Sequence, residues 1–314
     1  MDTPTSARLL DGRVGLVTGA TSGIGAVTAS ELARLGARVV IVGRDAGRAA
    51  RAVARIRRAG GLAEALVADL SSQASVRALA ESFRRRHDRL DVLVNNAGAY
   101  FARRQLSADG VEMTFALNHL GAFLLTLLLL DRLAASPAAR VVNVSSIAHE
   151  GLRLDFDDLH AERRFDRLEA YGRSKLANLL FTYELARRLE GMRATANALH
   201  PGSVATHLGA DRGWLRVRVR NLVRRGLLSP EQGARTTIHV ASAPELEGLS
   251  GRYFEDCREA RSSEASRDRA AASRLWAVSE RLTGLRWSPA PQWTLPHRPG
   301  SATFSPARAS TARE

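Results

Sequence analysis

The chain has 314 residues, 45% of them apolar and 25% charged, which is room for one large α/β domain or two small ones. A single cysteine, Cys257, excludes an internal disulfide and a multi-cysteine metal site, and suits a reducing cytoplasm. The formal net charge of +14 comes from an arginine-rich composition; without a helix-turn-helix, zinc or RNA-binding signature it argues for an anionic cofactor or lipid surface and against nucleic acid.

Residues 1–10 read as a short extension, with no apolar run of signal-peptide length near the start. From residue 11 onward, apolar runs rich in β-branched residues alternate with amphipathic segments. The strand candidates are Val14–Thr18, Ala37–Val42, Ala63–Ala68, Asp91–Val94, Arg140–Ser145, Thr195–Leu199 and Arg252–Phe254. The helical patterns fall near 24–35, 46–59, 72–87, 110–135, 169–190 and 230–243. The longest apolar stretch, 122–130, is too short to span a bilayer and reads as a buried helix. Strictly alternating strands and helices, with strands apolar throughout, imply a parallel sheet covered on both faces. Right-handed crossovers then give a single doubly wound α/β domain of about seven strands over 11–257. Residues 203–229 interrupt the rhythm, residues 258–286 form a C-terminal helical segment whose helix spans 265–284 with Leu275, Trp276, Val278 and Leu282 as its apolar side, and 287–314 hold five of the ten prolines and are expected to be a disordered tail.

The first strand runs into Gly19-Ala-Thr-Ser-Gly23-Ile-Gly25 and then a helix. Glycines there allow a tight turn and a close approach of backbone amides to a pyrophosphate, to which the helix N-terminus adds partial positive charge. This is the dinucleotide site of a Rossmann sheet. The second strand ends in Gly43-Arg44, where a site for NAD would carry a carboxylate for the ribose 2′-hydroxyl. A guanidinium at Arg44 suits a 2′-phosphate, so NADP(H) is favoured over NAD(H).

Among forty-six basic side chains there is one lysine, Lys175. It stands four residues after Tyr171 in a helical pattern, so ammonium and phenol share a face. A nearby positive charge is expected to lower the tyrosine pKa and make Tyr171 an acid/base for a carbonyl or alcohol. Ser145 and Ser146 end a strand at the carboxyl edge of the sheet, where either hydroxyl could orient a substrate oxygen.

The ordered set Thr18-Gly-Ala-Thr-Ser-Gly-Ile-Gly25, Asn95-Asn-Ala-Gly98, Asn118, Ser146, Tyr171/Lys175 and Pro201-Gly202 resembles that of the short-chain dehydrogenase/reductase family over residues 11–284. Stretches such as Asn118-His-Leu-Gly121, Asn143-Val-Ser-Ser-Ile-Ala-His149 and Ser250-Gly-Arg-Tyr-Phe-Glu-Asp-Cys257 are similar to its retinol dehydrogenase-like branch. The resemblance implies a catalytic set of Asn118, Ser146, Tyr171 and Lys175. Within it Tyr171 is the acid/base, Lys175 tunes it and binds the nicotinamide ribose, Ser146 polarises the substrate oxygen, and Asn118 holds a water beside Lys175. It implies a cofactor site formed by Gly19, Thr21, Ser22, Gly23, Ile24 and Gly25 at the turn. Arg44 lies beyond the second strand, Asp69 and Leu70 flank the adenine, and Asn96, Ala97 and Gly98 stand behind. Pro201, Gly202, Val204 and Thr206 close over the nicotinamide.

The expected function is hydride transfer between NADP(H) and a small hydrophobic aldehyde, ketone or alcohol. The alternative is a non-catalytic NADP(H)-binding regulator or scaffold. Residues 211–228 interleave Trp214, Leu215 and Val217 with arginines. They read as a mobile cover for a greasy substrate, as a basic helix on anionic lipid, or as a solvated basic face. A cytoplasmic protein, with peripheral membrane contact as a second reading, follows from the sequence; the resemblance adds a homodimer or tetramer. His119 reads as packing or a hydrogen bond and Cys257 as a buried apolar residue; His149 and His200 read as structural, with lining of the pocket rim as the second reading, and no metal site is expected.

Overall fold

The computed structural model describes residues 8–204 and 228–288. Strands β1 (Val14–Thr18), β2 (Arg38–Gly43), β3 (Leu62–Val67), β4 (Val92–Asn95), β5 (Ala139–Val144), β6 (Ala194–His200), β7 (Tyr253–Glu255) and β8 (Arg258–Ala260) form one sheet. Its order is β3-β2-β1-β4-β5-β6-β7-β8, parallel through β7, with β8 antiparallel at the edge. The chain winds outward from β1 to β3 and then returns to β4 on the other side of β1. This reversal leaves a crevice at the carboxyl ends of β1 and β4, where ligands of such sheets lie.

The helices are α1 (Gly23–Arg34), α2 (Ala46–Arg58), α3 (Gln73–Arg86), α4 (Gly121–Leu128), α5 (Arg167–Arg188), α6 (Pro230–Ser242) and α7 (Arg269–Thr283), with shorter helical turns between them. Successive strand residues point to opposite faces. Val17, Val39, Ile41, Val94 and Val142 pack with α1, α2 and α6. Leu16, Val40, Leu93 and Val141 pack with α3, α4, α5 and Trp276 of α7. Continuous apolar strands are what a sheet buried on both faces requires.

Two expectations are corrected. The pattern at 110–135 is not one helix. Glu112 caps a short turn at Met113–Phe115 through Thr114 N and Phe115 N, a π-turn follows at Ala116–Leu120, and α4 begins only at Gly121. Gly121 allows the helix to press on the β3–α3 loop, since a Cβ there would lie 2.3 Å from the Leu70 carbonyl oxygen. The segment 258–286 is not helical throughout: it opens with an eighth strand, and its helix α7 falls within the expected 265–284. Asp256 (φ 46°) and Cys257 (φ 60°) are both left-handed, the backbone signature of a tight hairpin.

Among the described residues no helix is long and apolar enough to cross a membrane. Thr206, most of segment 203–229 with its alternating arginines, and the tail from 289 lie outside the described residues.

Candidate active site

A cleft of about 450 Å³ opens at the β1/β4 reversal. Of the described residues expected at the cofactor, all line it except Gly202 and Val204. Pro201 forms part of its edge, and Val204 lies beside Leu228, with which it forms an isolated bridge. A larger groove of about 1060 Å³ lies at the amino ends of β5 and β6, along Arg140, Arg193, Arg252 and Arg267, and holds none of the expected site residues. Chemistry rather than size therefore selects the cleft.

Its floor is built to admit a flat, anionic guest. Gly19 is left-handed (φ 66°), and a Cβ on it would meet Ala97 Cα and Asn96 Nδ2 at 3.0 Å. Ser22 caps α1 in position only: its side chain makes no cap hydrogen bond, so the first N–H groups of the helix face the cleft without an internal partner. Thr18 ties the floor together. Its hydroxyl donates to Val94 O (3.2 Å) and accepts from Asn96 N and Ala97 N (both 3.0 Å), while Asn96 Nδ2 donates to Thr18 O (2.8 Å). These features fit a dinucleotide pyrophosphate.

At the end of β2 no carboxylate is free for a ribose. A side chain at position 43 would run into Thr21, whose Cγ2 lies 2.4 Å from the site of its Cβ. Asp45 is occupied, accepting from Arg48 N (2.8 Å) as the cap of α2 and pairing with Arg48 Nε (3.3 Å); those bonds hold its carboxyl below its ordinary range. Arg44 is exposed and lines the cleft beside Arg48. No hydrogen bond or ion pair to Arg44 is present among the described residues.

On the other wall α5 starts from an Asp166 cap and presents Tyr171 and Lys175 one turn apart. Both line the cleft, with Lys175 Nζ 5.6 Å from the centre of the phenol ring. The ammonium is buried, donates to Val144 O (3.0 Å), and lies 3.1 Å from where a Cβ on Gly98 would stand. Burial lowers its pKa to about 8. The expected acidification of the phenol by Lys175 is not what these side chains produce. Burial raises Tyr171 to about 12, hydrogen bonding with the Ser146 hydroxyl acts in the opposite direction, and the neighbouring Tyr100 phenol raises it further.

The two serines separate. Ser145 Oγ is buried and donates to the Lys175 carbonyl (2.9 Å), whereas Ser146 is half-buried and meets Tyr171. Asn118 sits one layer below, in the π-turn. Its Oδ1 accepts from Ala99 N, and its Nδ2 donates to Ala99 O and to Ser174 Oγ, each at 2.9 Å. Ser174 in turn donates to Tyr171 O (2.6 Å). Thr18, Ser174, Arg48 and Tyr100 were not expected at the site. Thr18 alone carried a signal in the sequence, as the first residue of the glycine motif.

A model of the short chain dehydrogenase family matches residues 13–213, and the chain belongs to that family. It is similar to human retinol dehydrogenase 14, with 45% identity over 300 residues and 88% of each chain covered. Mouse retinol dehydrogenase 12 is 46% identical over 280 residues, again covering 88% of each. Among solved structures, an uncharacterized protein from Mycobacterium paratuberculosis matches with a TM-score of 0.74 and 37% identity, over 89% of this chain and 96% of that one. The Pseudomonas aeruginosa RhlG/NADP active-site complex matches with a TM-score of 0.62 and 30% identity, over 81% and 97%. The chain is thus a retinol dehydrogenase-like oxidoreductase of CH–OH and C=O groups. It acts with a nicotinamide cofactor on a small molecule, which favours catalysis over the regulator or scaffold alternative.

Proposed function

We propose that the chain is an NADPH-dependent reductase of hydrophobic aldehydes or ketones, with Tyr171 as proton donor. The observation that carries this is the Tyr171 phenol, one helical turn from the buried Lys175 and hydrogen-bonded with Ser146, where Tyr171 and Lys175 line the cleft that holds the glycine turn. The nicotinamide, when bound, supplies or accepts the hydride.

With its pKa raised to about 12, the phenol is protonated at neutral pH and suited to give its proton to the oxygen of a carbonyl. Ser146 donates a second hydrogen bond to that oxygen, where negative charge gathers as the carbon is reduced. Lys175, still largely an ammonium at neutral pH, is a positive charge 5.6 Å from the ring of the phenolate left behind. Arg44 and Arg48 line the cleft and would hold a 2′-phosphate, while Asp45 is committed to its cap, and this supports NADP(H) over NAD(H). Phe101, Met113 and Leu117, which also line the cleft, support an apolar substrate.

NADPH oxidation with a panel of aliphatic and aromatic aldehydes tests the reading. Tyr171→Phe is expected to lower kcat by roughly 10²–10⁴-fold while leaving the Kd for NADPH unchanged. Full turnover in that variant would overturn the assignment.

A further inference from the structure

The turn that carries Ser146 is held by two buried histidines that do not line the cleft. Ser146 caps the 3₁₀ turn Ile147–His149, and its Oγ accepts from Ala148 N (3.2 Å). That bond uses one lone pair and leaves the hydroxyl proton free to donate. The Ser146 carbonyl oxygen lies 2.6 Å from His149 Nδ1, and His149 Nε2 lies 3.2 Å from Ser263 N. A carbonyl can only accept and an amide N–H can only donate. The imidazole is therefore neutral, with its proton on Nδ1 toward Ser146 and its lone pair on Nε2 toward Ser263. His200, at the end of β6, accepts from Ile147 N through its Nδ1 (3.3 Å). The outer partner is itself fixed, since Ser266 Oγ donates to Ser263 O (2.6 Å) and Ser262 Oγ meets the Tyr183 hydroxyl of α5 (2.6 Å). Tyr253 stands edge-on to the His149 ring at 5.8 Å and closes the remaining side.

We infer that His149, in its Nδ1–H form, is a positioning residue: by holding the Ser146 carbonyl it aims the Ser146 hydroxyl at the substrate oxygen. This rests on the role given to Ser146 in the proposed function. The two nitrogens do different work. The bond to Ser146 fixes the hydroxyl, and the bond to Ser263 anchors the ring to the C-terminal segment.

The test separates them. An asparagine places its amide nitrogen close to the position of Nδ1, whereas a glutamine reaches toward that of Nε2. His149→Asn should retain kcat within about three-fold, and His149→Gln should lose about ten-fold or more, with the aldehyde KM and the NADPH Kd little changed in both. Equal kcat in the two variants, whether both are active or both impaired, overturns the inference, and so does a Gln variant faster than Asn. A measurement on the native protein stands beside them: in ¹⁵N-histidine-labelled protein, the ring in contact with Tyr253 should carry its proton on Nδ1, and a proton on Nε2 refutes the proposal even where the variants do not fold. Ser146→Ala distinguishes the two levels. Full activity there removes the role of Ser146 and this inference with it. Lost activity there, with equal Asn and Gln variants, removes this inference alone.

Discussion

Cofactor choice turns on two adjacent positions. Gly43 cannot carry a carboxylate while Thr21 fills its Cβ site, and Asp45 is held at the cap of α2. Arg44 thus lines the cleft, and neither position 43 nor Asp45 offers a free carboxylate beside it. Replacing Arg44 with Asp puts a carboxylate against the 2′-phosphate and removes a charge-assisted donor, a difference of about 1.5–3 kcal/mol. The ratio of kcat/KM for NADPH over NADH should fall by roughly 10–100-fold, measured with one aldehyde at fixed salt. An unchanged ratio would remove Arg44 from the site. The chemistry-bearing residues themselves were visible in the sequence: a lone lysine at helical spacing from a tyrosine, and a glycine turn after the first strand. Their electrostatics were not. Proximity to an ammonium suggests an acidic phenol, but burial is a tertiary property, and here it dominates. Ser174 and His149 gain their partners, Asn118 and Ser263, only when distant segments meet.

At the scale of elements, legibility follows burial. β1, β2, β4 and β5 are plain because strands covered on both faces carry near-continuous apolar runs. β8 is a three-residue edge strand, Arg258-Glu-Ala260, without apolar periodicity, entered by an Asp-Cys turn that lacks the usual glycine. The break inside 110–135 was also hidden, because Ala116–Leu120 keeps helical spacing while its backbone slips into a π-turn. That slip places Asn118 against Ala99. Helix α7 closes the same face of the molecule. Trp276 packs edge-on against Phe123 (5.1 Å) and tilted on Phe181 (5.9 Å), with the Arg188 guanidinium 4.2 Å over its ring. His119 Nε2 meets Ser279 of α7 at 2.8 Å, one residue from Asn118. Trp276→Ala should therefore cost roughly 3–5 kcal/mol, read as a fall in Tm on the order of 10 °C. A change within experimental error would mean that α7 is dispensable to the core.

For the whole molecule, the buried histidines set an acid limit. Burial lowers His119 to about 3 and His200 to about 4, against an ordinary value of 6.5. Below pH 6.5 the unfolded chain takes up protons at these sites and the folded chain does not. The stability they contribute is complete above pH 6.5 and is lost as the pH falls toward 4, by up to about 1.4 kcal/mol per pH unit for each imidazole. Tm measured between pH 7.5 and 4.5 should fall on the acid side, and His119→Gln should flatten the slope. A Tm independent of pH over that range would contradict the burial of these rings.

The solitary Lys175 also makes the protein singular toward acylating reagents. Apart from the terminal amine, the only primary amine is enclosed within the cleft, and burial there brings it to about 8, so that a usable fraction is unprotonated and nucleophilic near neutral pH. An acyl group added beyond the one on the terminal amine is then a footprint of one position, and its mass shift reports whether the cleft is filled.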